Sequence, residues 1–249
     1  MSNLLIMPPS TTPPSAAPPA PGSPQGTAFW LVRHGESTWN TAGLAQGHND
    51  QAELTSRGQR QAAEAAERFR DRPVRAIYAS DLRRALQTAT AFGRVVGLPV
   101  VTDTRLRERS LGVLEGSPAA TIGPEVTGLG DGRVLDPDAR PAGGESVRDL
   151  YRRAAEFCDD LRAGDLAAGD LTAGDLTAGD RAGDEGDVLI VAHGGTVRVL
   201  EAYLHGTDVE RMRWEPVGNA TVVRIPHNPM PAAQSPGTEP VGSQPRGGN

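Results

Sequence analysis

Short apolar runs alternate with longer helix-periodic segments through most of this chain, and this alternation constrains the fold more than any other feature. Four runs, at residues 29–32, 76–79, 100–102 and 188–192, have the composition of buried strands and are bounded by polar or turn residues. Strands separated by helices pair as parallel neighbours, with the helices packed on the sheet. The pattern therefore predicts an α/β fold, a three-layer sandwich with a mainly parallel sheet and helices on both faces.

The segments between these runs identify the helices. Residues 55–69, 81–96 and 147–161 place apolar side chains at helical spacing, and Gly97 is suited to end the second of these helices. A last β-rich run at residues 220–225 is predicted to add an edge strand.

Both ends of the chain have too few large apolar residues to form a hydrophobic core. Residues 1–26 are crowded with Pro, Ser and Ala, and residues 227–249 with Pro, Gly and Ser, so we expect two disordered tails around one domain at 27–226. Inside that domain the triplet AGD recurs almost every five residues between Arg162 and Asp184. This spacing fits neither a helix nor a strand, and the denser pattern of calcium β-rolls is absent. We expect a flexible acidic insertion at 163–187 rather than a calcium site.

Composition excludes several classes of function. The formal net charge of -6 argues against a general nucleic-acid binder, and all 25 basic residues are Arg, which removes Schiff-base and P-loop lysine chemistry. Cys158 is the only cysteine, so no intrachain disulfide forms, and we expect this residue to be a small buried hydrophobe. No apolar run approaches the length of a membrane span, and the cluster at residues 4–7 is too short for a signal peptide. We expect a cytoplasmic protein with neither a nucleic-acid nor a membrane partner.

Four motifs rich in polar groups lie at the ends of the four strands. They read RHGESTWN, SDLRRALQTA, LRERSLGVLEG and VAHGGTVR in chain order. The carboxyl ends of parallel strands meet at one rim of the sheet, where α/β proteins build their sites. A neutral imidazole can be phosphorylated directly, and a neighbouring guanidinium suits a phosphate. The pair Arg33 and His34 therefore predicts phosphate chemistry carried by a histidine and not by a metal.

As a set, the four motifs resemble those of the histidine phosphatase superfamily, in its phosphoglycerate-mutase-like branch. The resemblance runs from about Phe29 to Thr196 and includes the intervening segment QGHNDQAELTSRGQRQA. It implies an α/β sandwich, a phosphohistidine intermediate, and no metal or other cofactor. The implied partner is a small phosphorylated metabolite, and we expect a monomer or a homodimer.

The resemblance assigns roles to residues of the first two motifs. His34 corresponds to the nucleophile, and Arg33 beside it to a phosphate-binding arginine. Asn40 matches the asparagine that closes the first motif, with a family-like role in hydrogen-bonding the phosphoryl group. In the second motif Arg84, immediately before alanine, matches the second phosphate-binding arginine, which leaves Arg83 as the solvated helix residue.

The two later motifs supply the remaining roles. His193 matches the second histidine, expected to act in catalysis and to bind the phosphoryl group, and Glu108 occupies the position of the proton donor. The alternative to a catalytic role for Glu108 is a structural one, in a surface ion-pair cluster with its neighbours Arg107 and Arg109. Glu115 is the weaker candidate for the acid.

Three functional hypotheses follow, and we favour the first, a metal-independent phosphomonoesterase in which water resolves a phosphohistidine on His34. The second is a 2,3-bisphosphoglycerate-dependent phosphoglycerate mutase. Mutases of the family follow the acid with a motif resembling Glu-Arg-His-Tyr-Gly, whereas this chain reads ERSLG from Glu108, without the histidine and the tyrosine. The third is a non-catalytic phosphate-binding regulatory relative, which the complete set of site residues disfavours.

Residues 117–144 are predicted to form a lid or specificity loop.

Overall fold

The computed structural model describes residues 28–164 and 186–226 of the chain. The predicted tails at 1–26 and 227–249, and all but the ends of the AGD insertion, lie outside the described residues. Within the described part the α/β prediction is confirmed, because a mostly parallel sheet is covered by helices on both faces.

The main sheet has five strands in the order β3-β2-β6-β1-β7. All neighbours are parallel except β7, which pairs antiparallel with β1. Every residue of the central strand β6 is buried, as expected for a strand covered on both sides. The edge strand predicted at residues 220–225 is confirmed as β7, Val222–Pro226. The strands are β1 (Ala28–Arg33), β2 (Val74–Ala79), β3 (Val100–Thr102), β4 (Leu129–Gly130), β5 (Arg133–Val134), β6 (Asp187–Ala192) and β7 (Val222–Pro226).

Helices occupy the predicted segments, and local chemistry sets where they begin and end. Ser146 caps the N-terminus of α5 reciprocally with Asp149, and Gly97, with a φ of 78°, ends α3 in the left-handed conformation that favours glycine. The helices are α1 (Thr38–Thr41), α2 (Ser56–Glu67), α3 (Arg83–Val96), α4 (Pro124–Thr127), α5 (Val147–Ala163) and α6 (Gly194–Leu204), with 3-10 turns at Thr104–Leu106, Gly112–Leu114 and Ala119–Thr121.

Alternate residues of the strands face two separate cores. Phe29 and Leu31 of β1 pack in one core with residues of α5 and α6, whereas Trp30 and Val32 pack in the other with residues of α2 and α3. The sheet is therefore the middle layer of the predicted sandwich. Cys158 is buried in the first core, and burial raises the pKa of its thiol to about 12, which agrees with the expected small hydrophobe.

The region predicted as a loop at 117–144 contains the helix α4 and the hairpin β4–β5. These short elements stand beside the carboxyl ends of the main strands and contribute residues to the cavity described below. Across the described ranges, none of the helices combines the length and apolar character needed to cross a bilayer.

Candidate active site

The carboxyl end of β6 brings the first, second and fourth motifs together. The backbone N–H of His34 donates to Ala192 O at 3.0 Å, and that of Ser80 donates to Val191 O at 3.0 Å. The residues that follow β1 and β2 are thereby fixed on either side of the end of β6, where His193 stands. The structure therefore brings these motifs together at one rim of the sheet, as the sequence predicted.

The His34 ring is held in one tautomer. Its Nδ1 lies 2.7 Å from the carbonyl oxygen of Gly35, which can only accept, so Nδ1 carries the proton and Nε2 keeps a free lone pair. The side chain is 2% exposed. Gly35 is required at this position because a side chain there would overlap the backbone of Gly58 in α2.

His193 lies against His34, with the two ring centroids 5.2 Å apart. Its Nε2 is 2.9 Å from Ser80 Oγ, and that hydroxyl oxygen already accepts from the N–H of Leu82 at 3.3 Å. If the Ser80 proton is directed at Nε2, the proton of His193 sits on Nδ1, a buried nitrogen without a partner in the described structure.

Burial and charge keep both imidazoles neutral. Burial lowers the pKa of His34 well below 6.5, and the positive charges of Arg84 and Arg33 lower it further. For His193 burial is again the main cause of a lowered pKa, followed by the charge of Arg84. An imidazole must be neutral to act as a nucleophile, so the surroundings of His34 leave its lone pair available.

Arg84 and Arg33 bring positive charge to these rings. Arg84 is fully buried at the start of α3, where it donates to the carbonyl oxygens of Asn49 at 2.9 Å and Gly47 at 2.8 Å. Arg33 donates to Val217 O. Burial lowers the pKa of Arg84 to about 10, so it stays charged at neutral pH. The Nε atoms of both arginines are buried without a partner among the described residues.

Glu108 is held at the N-terminus of α6. Its Oε2 accepts from the backbone N–H of Gly195 and its Oε1 from that of Arg109, both at 2.9 Å. A side chain at position 195 would overlap the Glu108 carboxylate, so glycine is needed for this approach. The surface-cluster alternative for Glu108 does not occur, because the guanidinium of Arg107 pairs with Asp81 and that of Arg109 donates to a carbonyl.

The segment that carries Glu108 is anchored by Arg153 of α5. One guanidinium donates to the carbonyl oxygens of Arg105 at 2.6 Å, Arg107 at 2.7 Å and Glu108 at 2.7 Å, and it pairs with Glu145 at 2.8 Å. This segment has no strand or helix at residues 107–110, so side chains supply the partners that its backbone needs.

A cavity of about 460 Å³ opens above these groups. We call four of its polar lining residues, Arg33, His34, Arg84 and Glu108, the basic floor, and its apolar lining residues after position 110 the apolar wall. The apolar wall comes from the third motif, the 117–144 region and the segment before β7. Its members are Leu111, Ala119, Ile122, Leu129, Trp214, Pro216 and Val217.

Two predicted site residues and the weaker acid candidate are not part of the described cavity lining. His193 is buried behind His34. Asn40 uses its amide oxygen to accept from the N–H of Ser37 at 3.0 Å, in the capping box of α1. Glu115 accepts from the N–H groups of His48 and Leu111, so its carboxylate holds a loop.

Two more arginines line the cavity that the sequence did not single out as ligands. Arg109 is 3% exposed, with Nε and Nη2 lacking a partner among the described residues. Arg198 lies over the Trp214 ring, with its guanidinium carbon 4.9 Å from the centroid. It follows Gly194 by four residues on α6 and so shares the face of that helix that meets the cavity, a signal that was present in the sequence.

Within residues 28–164 and 186–226, no cluster of three His, Cys, Asp or Glu side chains could hold a metal ion.

Taken together, the sheet topology and the rim define an α/β protein with a neutral histidine pair set among buried arginines. The chain belongs to the histidine phosphatase superfamily, branch 1, whose family model matches residues 29–170 and 173–231. The resemblance noted in the motifs is thereby confirmed.

Individual relatives carry two kinds of name. Probable phosphoglycerate mutase GpmB of Yersinia pestis is 34% identical over 206 residues, 81% of this chain and 86% of that protein. The protein of that name from Yersinia enterocolitica is 40% identical over 146 residues, 54% of this chain but only 64% of the relative. A mycobacterial glucosyl-3-phosphoglycerate phosphatase, solved in complex with VO3, is similar with a TM-score of 0.63 and 33% identity, covering 80% of this chain and 92% of that one. The chain and these relatives belong to one superfamily, which includes phosphatases and mutases. The names of the relatives do not agree on one activity.

Proposed function

We propose that the chain is a metal-independent phosphomonoesterase that hydrolyses small phosphorylated metabolites through a phosphohistidine on His34. The observation that carries the proposal is the His34 ring, neutral and fixed with Nδ1–H on Gly35 O, beside the buried arginine Arg84. Buried N–H groups without partners are costly, and phosphoryl oxygens would satisfy those of Arg33 and Arg84.

In the first step Nε2 of His34 attacks phosphorus and the bond from phosphorus to the ester oxygen breaks. The ring gains positive charge, which the Gly35 carbonyl stabilises through Nδ1–H. The guanidiniums of Arg33 and Arg84 offset charge on the transferring oxygens, the part that a divalent cation plays elsewhere. Glu108 gives its proton to the departing oxygen, so the product leaves as an alcohol.

In the second step water attacks the phosphohistidine. Glu108, now ionised, takes a proton from that water, the bond from phosphorus to Nε2 breaks, and inorganic phosphate leaves a neutral His34. The N–H groups of Gly195 and Arg109 keep the carboxyl group in place through both proton transfers. The same residue therefore serves as acid and then as base.

The named relatives keep the mutase as a second candidate, because two of them are called probable phosphoglycerate mutases. The ERSLG sequence at Glu108 favours water as the acceptor, because it lacks the histidine and the tyrosine that follow the acid in the mutases of the family. The third hypothesis, a non-catalytic relative, has no support from the site, because Arg33, His34, Arg84 and Glu108 line the cavity and His193 lies against His34.

Phosphate release from a panel of phosphorylated metabolites, measured with and without a chelator, tests the proposal. We expect chelator-insensitive release that falls by at least about 10³-fold in His34→Ala. An acid-labile phosphoenzyme should be trapped in the wild type and lost in that variant. His205→Ala is the matched control, because this histidine is exposed at the end of α6. Activity retained in His34→Ala would contradict the mechanism. Interconversion of 2- and 3-phosphoglycerate that needs the bisphosphate, without phosphate release, would select the mutase.

A further inference from the structure

Thr88 of α3 is a fully buried polar residue of the second motif that the proposed mechanism does not use. Its hydroxyl donates to the carbonyl oxygen of Arg84 at 2.8 Å and accepts from the backbone N–H of Gly35 at 3.1 Å. A carbonyl oxygen can only accept, so the single hydroxyl proton lies on the bond to Arg84 and a lone pair faces Gly35. Thr88 thereby joins the residue after the nucleophile to the helix that carries Arg84.

Gly35 supplies the carbonyl oxygen that fixes the tautomer of His34, yet glycine has the most flexible backbone of all residues. The packing of α2 excludes any other residue here, because a side chain would overlap the backbone of Gly58. The fold therefore places its most flexible residue at a position where the orientation of one carbonyl group matters. That orientation must be fixed by contacts from outside Gly35.

Hydrogen bonds from three elements hold the two peptide units that flank Gly35. In the first unit the N–H of Gly35 donates to α3, as described above, and the carbonyl oxygen of His34 accepts from the N–H of Ala220 at 3.1 Å. In the second unit, whose carbonyl oxygen faces the His34 ring, the N–H of Glu36 donates to Gln61 Oε1 of α2 at 2.8 Å. Of these contacts, only the one to α3 also bonds to the helical turn that carries a residue of the basic floor.

We propose that Thr88 is a positioning residue that keeps the Gly35 carbonyl on Nδ1 of His34 and fixes the nucleophile relative to Arg84. The inference rests on the proposed phosphomonoesterase and adds the residue that prepares its attacking nitrogen. The proton stays on Nδ1 while that atom has its acceptor, so the contact of Thr88 keeps the lone pair on Nε2, which attacks phosphorus. The effect of Thr88 should therefore appear in the chemical step.

Substitutions at Thr88 separate hydrogen bonding from packing. Thr88→Val keeps the shape and removes the hydroxyl, whereas Thr88→Ser keeps the hydroxyl and removes a buried methyl group. We expect Thr88→Val to lower kcat and kcat/KM for 4-nitrophenyl phosphate equally, by about ten- to hundredfold, because the reacting groups are displaced. Thr88→Ser should keep most of the wild-type rate, although its melting temperature falls. A side chain needed only for packing would give the reverse order of rates and would overturn the inference.

Thr90→Val is the matched control on the same helix. The Thr90 hydroxyl donates to the carbonyl oxygen of Leu86 at 2.8 Å, the same bond within α3, but it accepts from no N–H group of the described residues. We expect the wild-type kcat in this variant. An equal loss in Thr90→Val and Thr88→Val would assign the effect to the bond within the helix and overturn the inference. Thr88→Ala is a second variant without the hydroxyl, with the same expected loss, should Thr88→Val fail to fold.

Nitrogen-15 NMR of the histidine rings tests the tautomer without turnover. The His34 signals are those missing from His34→Gln. At neutral pH we expect wild-type His34 with its proton on Nδ1, the same pattern in Thr88→Ser, and an added form with the proton on Nε2 in Thr88→Val. Either an unchanged kcat or an unchanged tautomer in Thr88→Val overturns the inference and leaves the phosphomonoesterase intact. A wild type that releases no phosphate from any ester contradicts the proposed function instead, and the ring spectra then decide on Thr88 by themselves.

Discussion

The basic floor and the apolar wall of the cavity differ in how the fold holds them. Arg33 and His34 stand at the end of the buried strand β1, Arg84 lies in the long helix α3, and His34 and Arg84 are almost completely buried. Glu108 lies outside helices and strands, but the backbone N–H groups of Gly195 and Arg109 hold its carboxylate. The wall comes from short elements such as the Ala119–Thr121 turn and the β4–β5 hairpin, and most of its members are half-exposed.

This difference separates chemistry from selectivity. A phosphohistidine step requires donors and a nucleophile held to within a fraction of an ångström, which a sheet rim provides. The leaving group makes contacts of lower precision, so loosely packed elements can line its side of the cavity. Substitutions in the floor should therefore change the chemical step, and substitutions in the wall should change affinity.

The largest expected effect in the floor tests Glu108 as the acid. Glu108→Gln should lower kcat/KM on alkyl phosphates by about 10²- to 10⁴-fold, because the leaving alkoxide needs a proton. The loss should be much smaller on 4-nitrophenyl phosphate, whose phenolate leaves without one. Steady-state rates on the two substrates measure this contrast.

Glu115→Gln is the matched control for that contrast. Its carboxylate holds a loop through the N–H groups of His48 and Leu111 and does not line the described cavity. Any change in this variant should be equal on both substrates. A selective loss on alkyl phosphates in Glu115→Gln, and none in Glu108→Gln, would assign the acid to the other residue.

A second prediction concerns how the floor is anchored. Arg153→Met leaves the carbonyls of Arg105, Arg107 and Glu108 without their donor and Glu145 without its cation. We expect the free energy of unfolding to fall by about 2–4 kcal/mol, measured by urea denaturation.

Arg152→Met is the control for this anchor. The neighbouring arginine is 71% exposed and pairs only with Asp149 at 3.2 Å, so its loss should cost less than about 1 kcal/mol. Equal costs for the two variants would show that the hydrogen bonds of Arg153 to the Glu108 segment add no stability.

The third prediction uses the two neutral histidines, His34 of the floor and His193 packed against it. Their pKa values are lowered in the folded protein by burial and by nearby arginines, whereas an unfolded histidine titrates near 6.5. Below that pH the unfolded chain binds protons that the folded chain does not, so stability is fully present above about pH 6.5 and is lost as pH falls.

Each such histidine should contribute a slope of about 1.4 kcal/mol per pH unit below pH 6.5. His34→Gln should reduce the slope of unfolding free energy between about pH 5 and 6.5 by that amount. The wall variant Ile122→Ala, which removes no titrating group, should keep the wild-type slope. An unchanged slope in His34→Gln would mean that His34 takes up a proton in the folded protein.

The positions of the two histidines were predictable from sequence because His34 and His193 directly follow strands, whose positions the apolar runs reveal. Of the two adjacent arginines Arg84 lines the cavity, whereas Arg83 lies exposed beside Glu53. Arg153 had no local signal, since the carbonyls it binds are 45 to 48 residues away. Such contacts depend on how α5 packs on the turn after β3, which periodicity does not specify.

Asn40 and the wall were less predictable from the motifs. The family-like role of Asn40 remains a prediction, because in this structure its amide oxygen caps α1 and bonds to Asn219 at 3.1 Å. Residues 117–144 read as one loop, although they contain α4 and a hairpin. Elements of two to four residues bury too few side chains to leave a hydrophobic period in the sequence.

The smallest expected effect belongs to the wall itself. Ile122→Ala removes apolar surface from a half-buried cavity residue, so kcat/KM should fall by about two- to tenfold, with KM bearing most of the change. Val126→Ala, in the same segment but outside the described lining, should alter neither constant. If Ile122→Ala instead lowers kcat at constant KM, the wall contributes to the chemical step or to closure over it. The separation between floor and wall would then fail, because a wall residue would be acting on the transition state alone.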